Sequence, residues 1–122
     1  MAKIVVIIPA LNEEYSISKV IKDIPKIVDE IIVVDNGSKD NTAKKAEASR
    51  VIVLKEPAKG YGNACLKAIE FLKKSPPNIV VFLDADYSDF PEDINLLINP
   101  IKNKKIEFVV GSRIKRLREK GS

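Results

Sequence analysis

Two aspartates separated by one small residue, Asp84 and Asp86, are the residues best suited to chemistry in this sequence. They follow a run of β-branched and aliphatic residues that is typical of a buried strand, so both leave the sheet at a strand end. Carboxylate oxygens are hard ligands, and they favour Mg²⁺ or Mn²⁺ over softer metals. The alternative is a pair of solvated loop acids. We treat both residues as candidate metal ligands and catalytic residues.

A second polar segment, residues 35–42, follows another apolar run. Asp35 emerges directly from that run, where an acid has little structural purpose but can bond ribose hydroxyls. Asn36 and the glycine after it predict a turn, and either Asp40 or Asn41 is expected to cap the next helix. A well-made strand-to-helix loop explains most of this segment, but it explains Asp35 less well.

The segment after the first apolar run, residues 9–13, has two readings. In one, Asn12 caps a helix and Glu13 lies at the positive end of that helix. In the other, the backbone of the segment cradles a base and a ribose. The residues alone leave both readings open.

A glycine-containing loop includes Lys59 and Gly60. It is not a dinucleotide fingerprint, because Cys65 stands where the third glycine is required, and it is not a Walker loop, because no Gly-Lys-Ser/Thr follows. The loop either brings a lysine near the site or only connects two elements.

Composition excludes several classes of chemistry. The 122 residues contain no histidine and one cysteine, so histidine-based catalysis, cysteine zinc sites and intrachain disulfides are all absent. The net charge is +4, but residues 113–120 carry five basic side chains and one acidic one. A broad basic face is therefore not indicated, and we expect no nucleic-acid partner.

Apolar runs alternate with helical patterns along the chain. The predicted strands are Lys3–Ile8, Glu30–Val34, Arg50–Leu54, Asn78–Leu83 and Glu107–Gly111. The predicted helices are Asn12–Ile24, a short helix from Asp40 or Asn41 towards Ser49, Gly62–Lys74, and Pro91 to about Lys102. The apolar side of the third helix is predicted to consist of Cys65, Leu66, Ile69 and Leu72.

This alternation predicts an α/β fold, Rossmann-like, with a mostly parallel sheet and helices at its sides. Residues 1–112 are expected to form one domain, and residues 113–122 a basic tail. Ligands of open α/β sheets bind beyond the carboxyl ends of the strands. The polar segments described above follow such ends, so we expect them to meet.

Taken together, these segments resemble those of family 2 glycosyltransferases with the GT-A fold. The matching segments occur in order across essentially the whole chain: Ile8-Pro9-Ala10-Leu11-Asn12-Glu13, Val33-Val34-Asp35-Asn36-Gly37-Ser38 with Asp40 and Thr42, Lys59-Gly60-Tyr61-Gly62-Asn63-Ala64, Leu83-Asp84-Ala85-Asp86 and Val110-Gly111-Ser112-Arg113. The ordered set is far more specific than any one member. The branch that it resembles most contains the dolichyl-phosphate mannose synthases and polyprenyl-phosphate glucose synthases.

The resemblance implies that residues 1–112 are a nucleotide-sugar-binding domain and that the tail 113–122 begins the connection to an acceptor region. It also implies a UDP- or GDP-linked sugar as donor and a role for each matching residue. The donor-binding residues implied are Pro9, Ala10, Leu11, Asn12, Glu13, Asp35, Asn36, Lys59, Gly60, Asp84 and Ala85. Asp86 would bind the metal, and Asp84 would lie by the ribose or the metal. Ser88, a further metal ligand in this reading, stands where mannose synthases often have a glutamine ligand. Many relatives have a second aspartate where Asn36 stands. The amide oxygen of Asn36 would still accept a hydrogen bond from a base N–H. Arg113 would face the acceptor phosphate.

The resemblance also implies an inverting transfer to an acceptor such as a polyprenyl phosphate. An ionised phosphate needs no general base, whereas a hydroxyl acceptor would require a carboxylate such as Asp89 or Asp93. Relatives continue well beyond the fifth strand, so we expect a donor half that transfers sugar poorly by itself.

Two other functions stay open: a nucleotide-sugar-binding module without turnover, and a sugar nucleotidyltransferase. The second would require a glycine-rich loop after the first strand, which segment 9–13 does not provide. We expect a cytoplasmic location, with the basic tail available for contact with the membrane face. Self-association through apolar surface near the fifth strand is left open.

Overall fold

The computed structural model describes residues 3–86 and the strand 107–110. The elements are β1 (Ile4–Ala10), α1 (Ile17–Asp23), β2 (Glu30–Asp35), α2 (Thr42–Ala48), β3 (Ile52–Lys55), α3 (Tyr61–Leu72), β4 (Ile79–Phe82) and β5 (Glu107–Val110). The predicted helix from Pro91 lies outside the described residues.

Within the described residues the strands form one parallel sheet with the order β3-β2-β1-β4-β5. The order reverses direction beside β1, since β2 and β3 lie on one side of it and β4 and β5 on the other. This reversal is the switch point where α/β sheets bind ligands. The predicted α/β fold class is confirmed.

The centre of the sheet is buried on both faces because β1 is aliphatic at almost every position. Val6 and Ile8 pack with α1 and α2 in one hydrophobic cluster, whereas Val5 and Ile7 pack with α3 in another. All four side chains are fully buried. Each such side chain stabilises the fold by about 1.5–3 kcal/mol relative to an exposed one.

The first predicted helix boundary is wrong. Helix α1 begins at Ile17 with Ser16 at the cap position, and Asn12 has a φ of 55° in the left-handed region. Asparagine tolerates that conformation better than most residues. Residues 11–16 therefore form an irregular loop, and Asn12 does not cap the helix.

The third helix shows a second error. Leu66 is 62% exposed, whereas Ala64 and Ala68 are fully buried against the sheet. Small side chains let the helix backbone approach the strands closely, and position 66 is directed away from that contact. The apolar side was therefore assigned incorrectly at Leu66, although Leu72 is buried as predicted.

Arg50 also departs from the prediction, because its φ of 59° places it in a turn and β3 begins two residues later. The residue at the cap position of α2 is Asn41, but its side chain makes no capping hydrogen bond. None of the helices within residues 3–86 is long and apolar enough to cross a membrane.

Candidate donor-binding site

The carboxyl ends of β1, β2 and β4 bring the predicted polar segments to one edge of the sheet. Ala10 lies beside Asp35 in the register of β1 and β2. The amide of Leu83 donates to the carbonyl of Ile7 over 3.0 Å, so the segment containing Asp84 leaves the sheet next to the end of β1. The predicted meeting of these segments follows directly from the strand order.

Asn12 joins the loop after β1 to the loop after β2. Its amide N–H donates to the hydroxyl of Ser38 over 2.9 Å, and its side-chain oxygen accepts from the amide of Lys39 over 2.8 Å. These two bonds use both the main chain and the side chain of Asn12. The residue therefore organises the loops and is not a helix cap.

A second set of bonds connects the same two loops nearer to α2. The amide of Glu13 donates to Thr42 Oγ1 over 2.8 Å, and the amide of Glu14 donates to Asp40 Oδ2 over 3.2 Å. Asp40 Oδ1 also accepts from the amide of Thr42 over 3.0 Å. Asp40 therefore accepts hydrogen bonds both from the first residue of α2 and from the loop after β1. The prediction for Asp40 included only the bond to the helix.

The carboxylate of Asp40 is stabilised in its charged form. A hydrogen bond from the Thr42 hydroxyl has the largest effect and lowers the pKa of Asp40. Desolvation has the next largest effect and opposes it, and bonds from main-chain amides lower the pKa further, so the net shift is downward. Hydrogen bonds donated to a carboxylate favour ionisation. At neutral pH, Asp40 is an anion held between the two loops.

Asp35 is 7% exposed at the end of β2. Its Oδ1 accepts the amide of Ser38 over 3.0 Å, which closes the turn around Gly37. Gly37 has a φ of 92°, which favours glycine at this position. Asp35 therefore has the structural purpose that the sequence did not reveal, and its role with ribose stays a prediction.

Ser16 connects the loop after β1 to the aspartate segment. Its Oγ lies 2.5 Å from the carbonyl oxygen of Ala85 and 3.0 Å from Glu13 Oε2. Ala85 is 4% exposed, while Asp84 and Asp86 on either side of it are both exposed. The inward Ala85 directs both carboxylates away from the core at the sheet edge.

The two aspartates suit a hard divalent cation. Mg²⁺ is usually held by one or two protein carboxylates, with water and substrate phosphates as the other ligands. No group of three or more acidic or cysteine side chains in the described part of the chain could hold an ion alone. Two exposed aspartates match the number of protein carboxylates that Mg²⁺ uses where phosphate oxygens supply other ligands.

The structure brings most of the predicted site residues to this edge. Pro9 and Ala10 end β1, and Leu11 is 46% exposed just beyond it. Lys59 and Gly60 are exposed in the loop before α3. Ser88, Asp89 and Arg113, with the basic tail, lie outside the described residues.

Sequence reasoning missed Ser16. It precedes an apolar helical pattern, which is a signal for a helix cap, but its bond reaches a residue 69 positions away. It makes no side-chain capping bond to α1. Only the proximity of β1 and β4 brings Ser16 and Ala85 together.

A parallel α/β sheet with polar residues beyond its switch point is the architecture of the open α/β proteins that bind ligands at this edge, nucleotide-binding proteins among them. The sequence profile of glycosyl transferase family 2 matches residues 5–122. The chain belongs to glycosyl transferase family 2, as predicted from the sequence.

Two curated relatives illustrate the similarity. The chain is 38% identical to the UDP-N-acetylglucosamine–dolichyl-phosphate N-acetylglucosaminyltransferase of Methanococcus voltae, over 95% of this chain and 54% of the relative. It is also 38% identical to protein RfbJ of Shigella flexneri, over 90% of this chain and 84% of that protein. The chain spans about half the length of the first curated relatives that it matches.

A solved structure agrees with the fold. The glucosyl-3-phosphoglycerate synthase of Mycobacterium tuberculosis, in complex with Mn²⁺ and UDP-glucose, superposes with a TM-score of 0.68 at 36% identity. The match covers 81% of this chain and 39% of the synthase. The same synthase has also been solved with Mg²⁺ and UDP. The predicted GT-A fold is confirmed, and divalent metal use is found in the family.

Proposed function

We propose that this chain is the donor-binding half of an inverting, metal-dependent glycosyltransferase that transfers a sugar from a nucleoside diphosphate sugar to a phosphate acceptor. The observation that carries this proposal is the convergence of three strand ends. The 9–13 segment, Asp35 with its turn, and the pair Asp84 and Asp86 lie at one edge, joined by hydrogen bonds between their loops. In this proposal the base and ribose bind at the first two segments, and the diphosphate binds beside them at the aspartate pair.

In this proposal Asp84 and Asp86 hold Mg²⁺ or Mn²⁺ together with the donor diphosphate. Bound there, the metal would neutralise the charge that develops on the leaving diphosphate. The chain's own contribution is positioning, since Ala85 is anchored through Ser16 and both carboxylates are exposed to the ligand. Ser88 is proposed as a further ligand.

We propose that the acceptor is a polyprenyl phosphate. The name of the Methanococcus voltae relative includes a dolichyl phosphate. The basic residues 113–120 suit an anionic acceptor and an anionic membrane surface, with Arg113 as the proposed phosphate contact. A phosphate oxygen that attacks the anomeric carbon opposite the diphosphate inverts its configuration and needs no proton acceptor. Asp89 is the proposed base only for a hydroxyl acceptor.

The test compares this chain with a chimera that adds the C-terminal half of the Methanococcus voltae relative. Both receive labelled UDP- or GDP-sugars and Mn²⁺, with polyprenyl phosphate in one arm and phosphoglycerate in another. We expect donor binding by both proteins, and transfer to polyprenyl phosphate mainly by the chimera. Positioning of two substrates can supply about 7–11 kcal/mol of barrier reduction, and the described residues position only one.

Transfer to phosphoglycerate instead would retain the class of reaction and overturn the acceptor assignment. Equal transfer by both proteins would show that the donor half suffices. Pyrophosphate exchange would assign a nucleotidyltransferase, and failure of either protein to bind any nucleotide would overturn the proposed function.

A further inference from the structure

The side-chain amide of Asn36 is committed to the loop 56–60. Its Nδ2 donates to the carbonyl oxygens of Glu56 and Ala58, each over 2.9 Å. Its Oδ1 accepts the amide of Gly60 over 3.0 Å. The residue is 6% exposed, so these three bonds are shielded from competing water.

The chemistry of this contact requires an amide. Two carbonyl oxygens and one N–H surround the side chain, and only an amide supplies two donated hydrogens and an acceptor together. An aspartate at position 36 would place carboxylate oxygens against the carbonyls of Glu56 and Ala58. Aspartate therefore loses two bonds and adds repulsion, although it has the same size.

The loop that Asn36 holds carries Lys59 and Gly60. Its start is fixed by a bond from the amide of Glu56 to the carbonyl of Asp35 over 2.9 Å. At its other end Gly60 has a φ of 123°, a conformation that side chains rarely adopt, and leads directly into α3. Between these points, Asn36 makes the side-chain bonds that fix the loop to the end of β2.

We propose that Asn36 is a positioning residue, which sets the placement of Lys59 and Gly60 for the donor and does not read the base. This inference rests on the proposed function, because Lys59 and Gly60 are donor contacts only in that proposal. It replaces the expectation that the Asn36 amide oxygen accepts from a base N–H, since Gly60 uses that oxygen.

The experiment uses the variants Asn36→Asp, Gly60→Ala and their combination, with Asn41→Asp as the control. Asn41 is exposed, and its substitution adds the same charge in the 36–42 loop without touching loop 56–60. We call the three hydrogen bonds between Asn36 and loop 56–60 the clamp. Hydrogen exchange of the Gly60 amide measures whether the clamp is formed when no ligand is present. Titration with UDP and with GDP, each with Mn²⁺, reports donor binding.

Repulsion between the carboxylate of Asn36→Asp and the carbonyls of Glu56 and Ala58 should displace the side chain and break its remaining bond to the Gly60 amide. We therefore expect at least tenfold faster exchange at Gly60 in this variant, with unchanged exchange in β1 and β2. The affinities of the Asn36→Asp protein for UDP and for GDP should fall by similar factors of at least ten. The fold-loss of affinity in the double variant should be smaller than the product of the fold-losses in the two single variants. The Asn41→Asp protein should behave as the wild type. Gly60→Ala disturbs the loop without altering Asn36, so it tests the loop even if Asn36→Asp does not fold.

Unchanged exchange at Gly60 in Asn36→Asp would overturn the clamp. Faster exchange with unchanged nucleotide affinity, or normal affinity in Gly60→Ala, would overturn the positioning role. A changed preference between UDP and GDP with normal exchange would show that Asn36 reads the base. If the wild type binds neither nucleotide, the proposed function fails and the positioning role fails with it, while the exchange measurement still decides the clamp.

Discussion

The Ser16 hydroxyl lies 2.5 Å from the main-chain carbonyl oxygen of Ala85, so the loop after β1 is bonded to the residue between the two aspartates. The base and ribose side of the proposed site and its diphosphate side are thereby one connected unit. A change at Ser16 should therefore affect the aspartates without replacing either of them.

Replacement of Ser16 by alanine removes this bond and should lower the free energy of unfolding by about 1 kcal/mol. If the bond also orients Ala85 for the ligand, Mn²⁺-dependent affinity for UDP or GDP should fall by about fivefold, the equivalent of a similar energy. Urea unfolding and calorimetric titration measure the two effects.

Ser49→Ala is the matched control, because the Ser49 hydroxyl also donates to a main-chain carbonyl, that of Lys45, over 3.1 Å. This variant should lose stability but keep nucleotide affinity. An equal loss of affinity in both variants would mean that Ser16 acts only through general stability.

Replacement of Asp86 by alanine should abolish the part of nucleotide binding that depends on metal. We expect at least about a tenfold loss of affinity in Mn²⁺, about 1.4 kcal/mol, because one of two carboxylate ligands is removed. Calorimetry with UDP and GDP, with Mn²⁺ or after EDTA treatment, makes the measurement. Glu47→Ala removes an exposed carboxylate on α2 and should change nothing. Wild-type affinity that is insensitive to EDTA would contradict the metal assignment.

Asp40 should make the stability of the chain depend on acid pH. Its pKa is lowered in the folded state, chiefly by the Thr42 hydroxyl, and returns to its ordinary value on unfolding. Its contribution is therefore fully present above about pH 4 and is lost as pH falls through the lowered folded value. Asp40→Asn should be less stable than wild type at pH 7, and the difference should shrink towards pH 2.

Urea unfolding from pH 2 to pH 7 checks this expectation, with Glu47→Gln as a control that removes an exposed charge on α2, the helix that follows Asp40. A difference between Asp40→Asn and wild type that is constant over this range would show that the carboxylate charge contributes nothing.

The basic residues 113–120 should bind anionic membranes. Basic residues near such a surface contribute about 1 kcal/mol each, and the attraction is screened by salt. Co-sedimentation with vesicles that contain phosphatidylserine should therefore weaken as salt is raised. Replacement of Arg113, Lys115 and Arg116 by glutamine should also reduce binding to these vesicles. The control Lys44→Gln, on α2, should leave that binding unchanged. Binding that ignores salt, or equal binding to neutral vesicles, would count against this prediction.

The sequence by itself predicted the order of the elements, because apolar runs and turn residues are local signals. The aliphatic run of β1 predicted a strand buried on both faces, and Asp84 and Asp86 marked the end of β4. Family membership followed from motifs in a fixed order. Helix boundaries were less well determined, since the left-handed φ of Asn12 depends on its bonds to Ser38 and Lys39 from another loop.

The tertiary structure alone decided which residues hold the site together. The positions of β2 and β3 place the amide of Asn36 against loop 56–60, a contact that the sequence did not reveal. Ser16 carried no signal for Ala85, which is 69 residues away. Such bonds depend on which strands are neighbours, and the order β3-β2-β1-β4-β5 results from packing of the whole sheet. Local periodicity contains no information about that order, so the sequence identified the chemistry and the fold determined its supports.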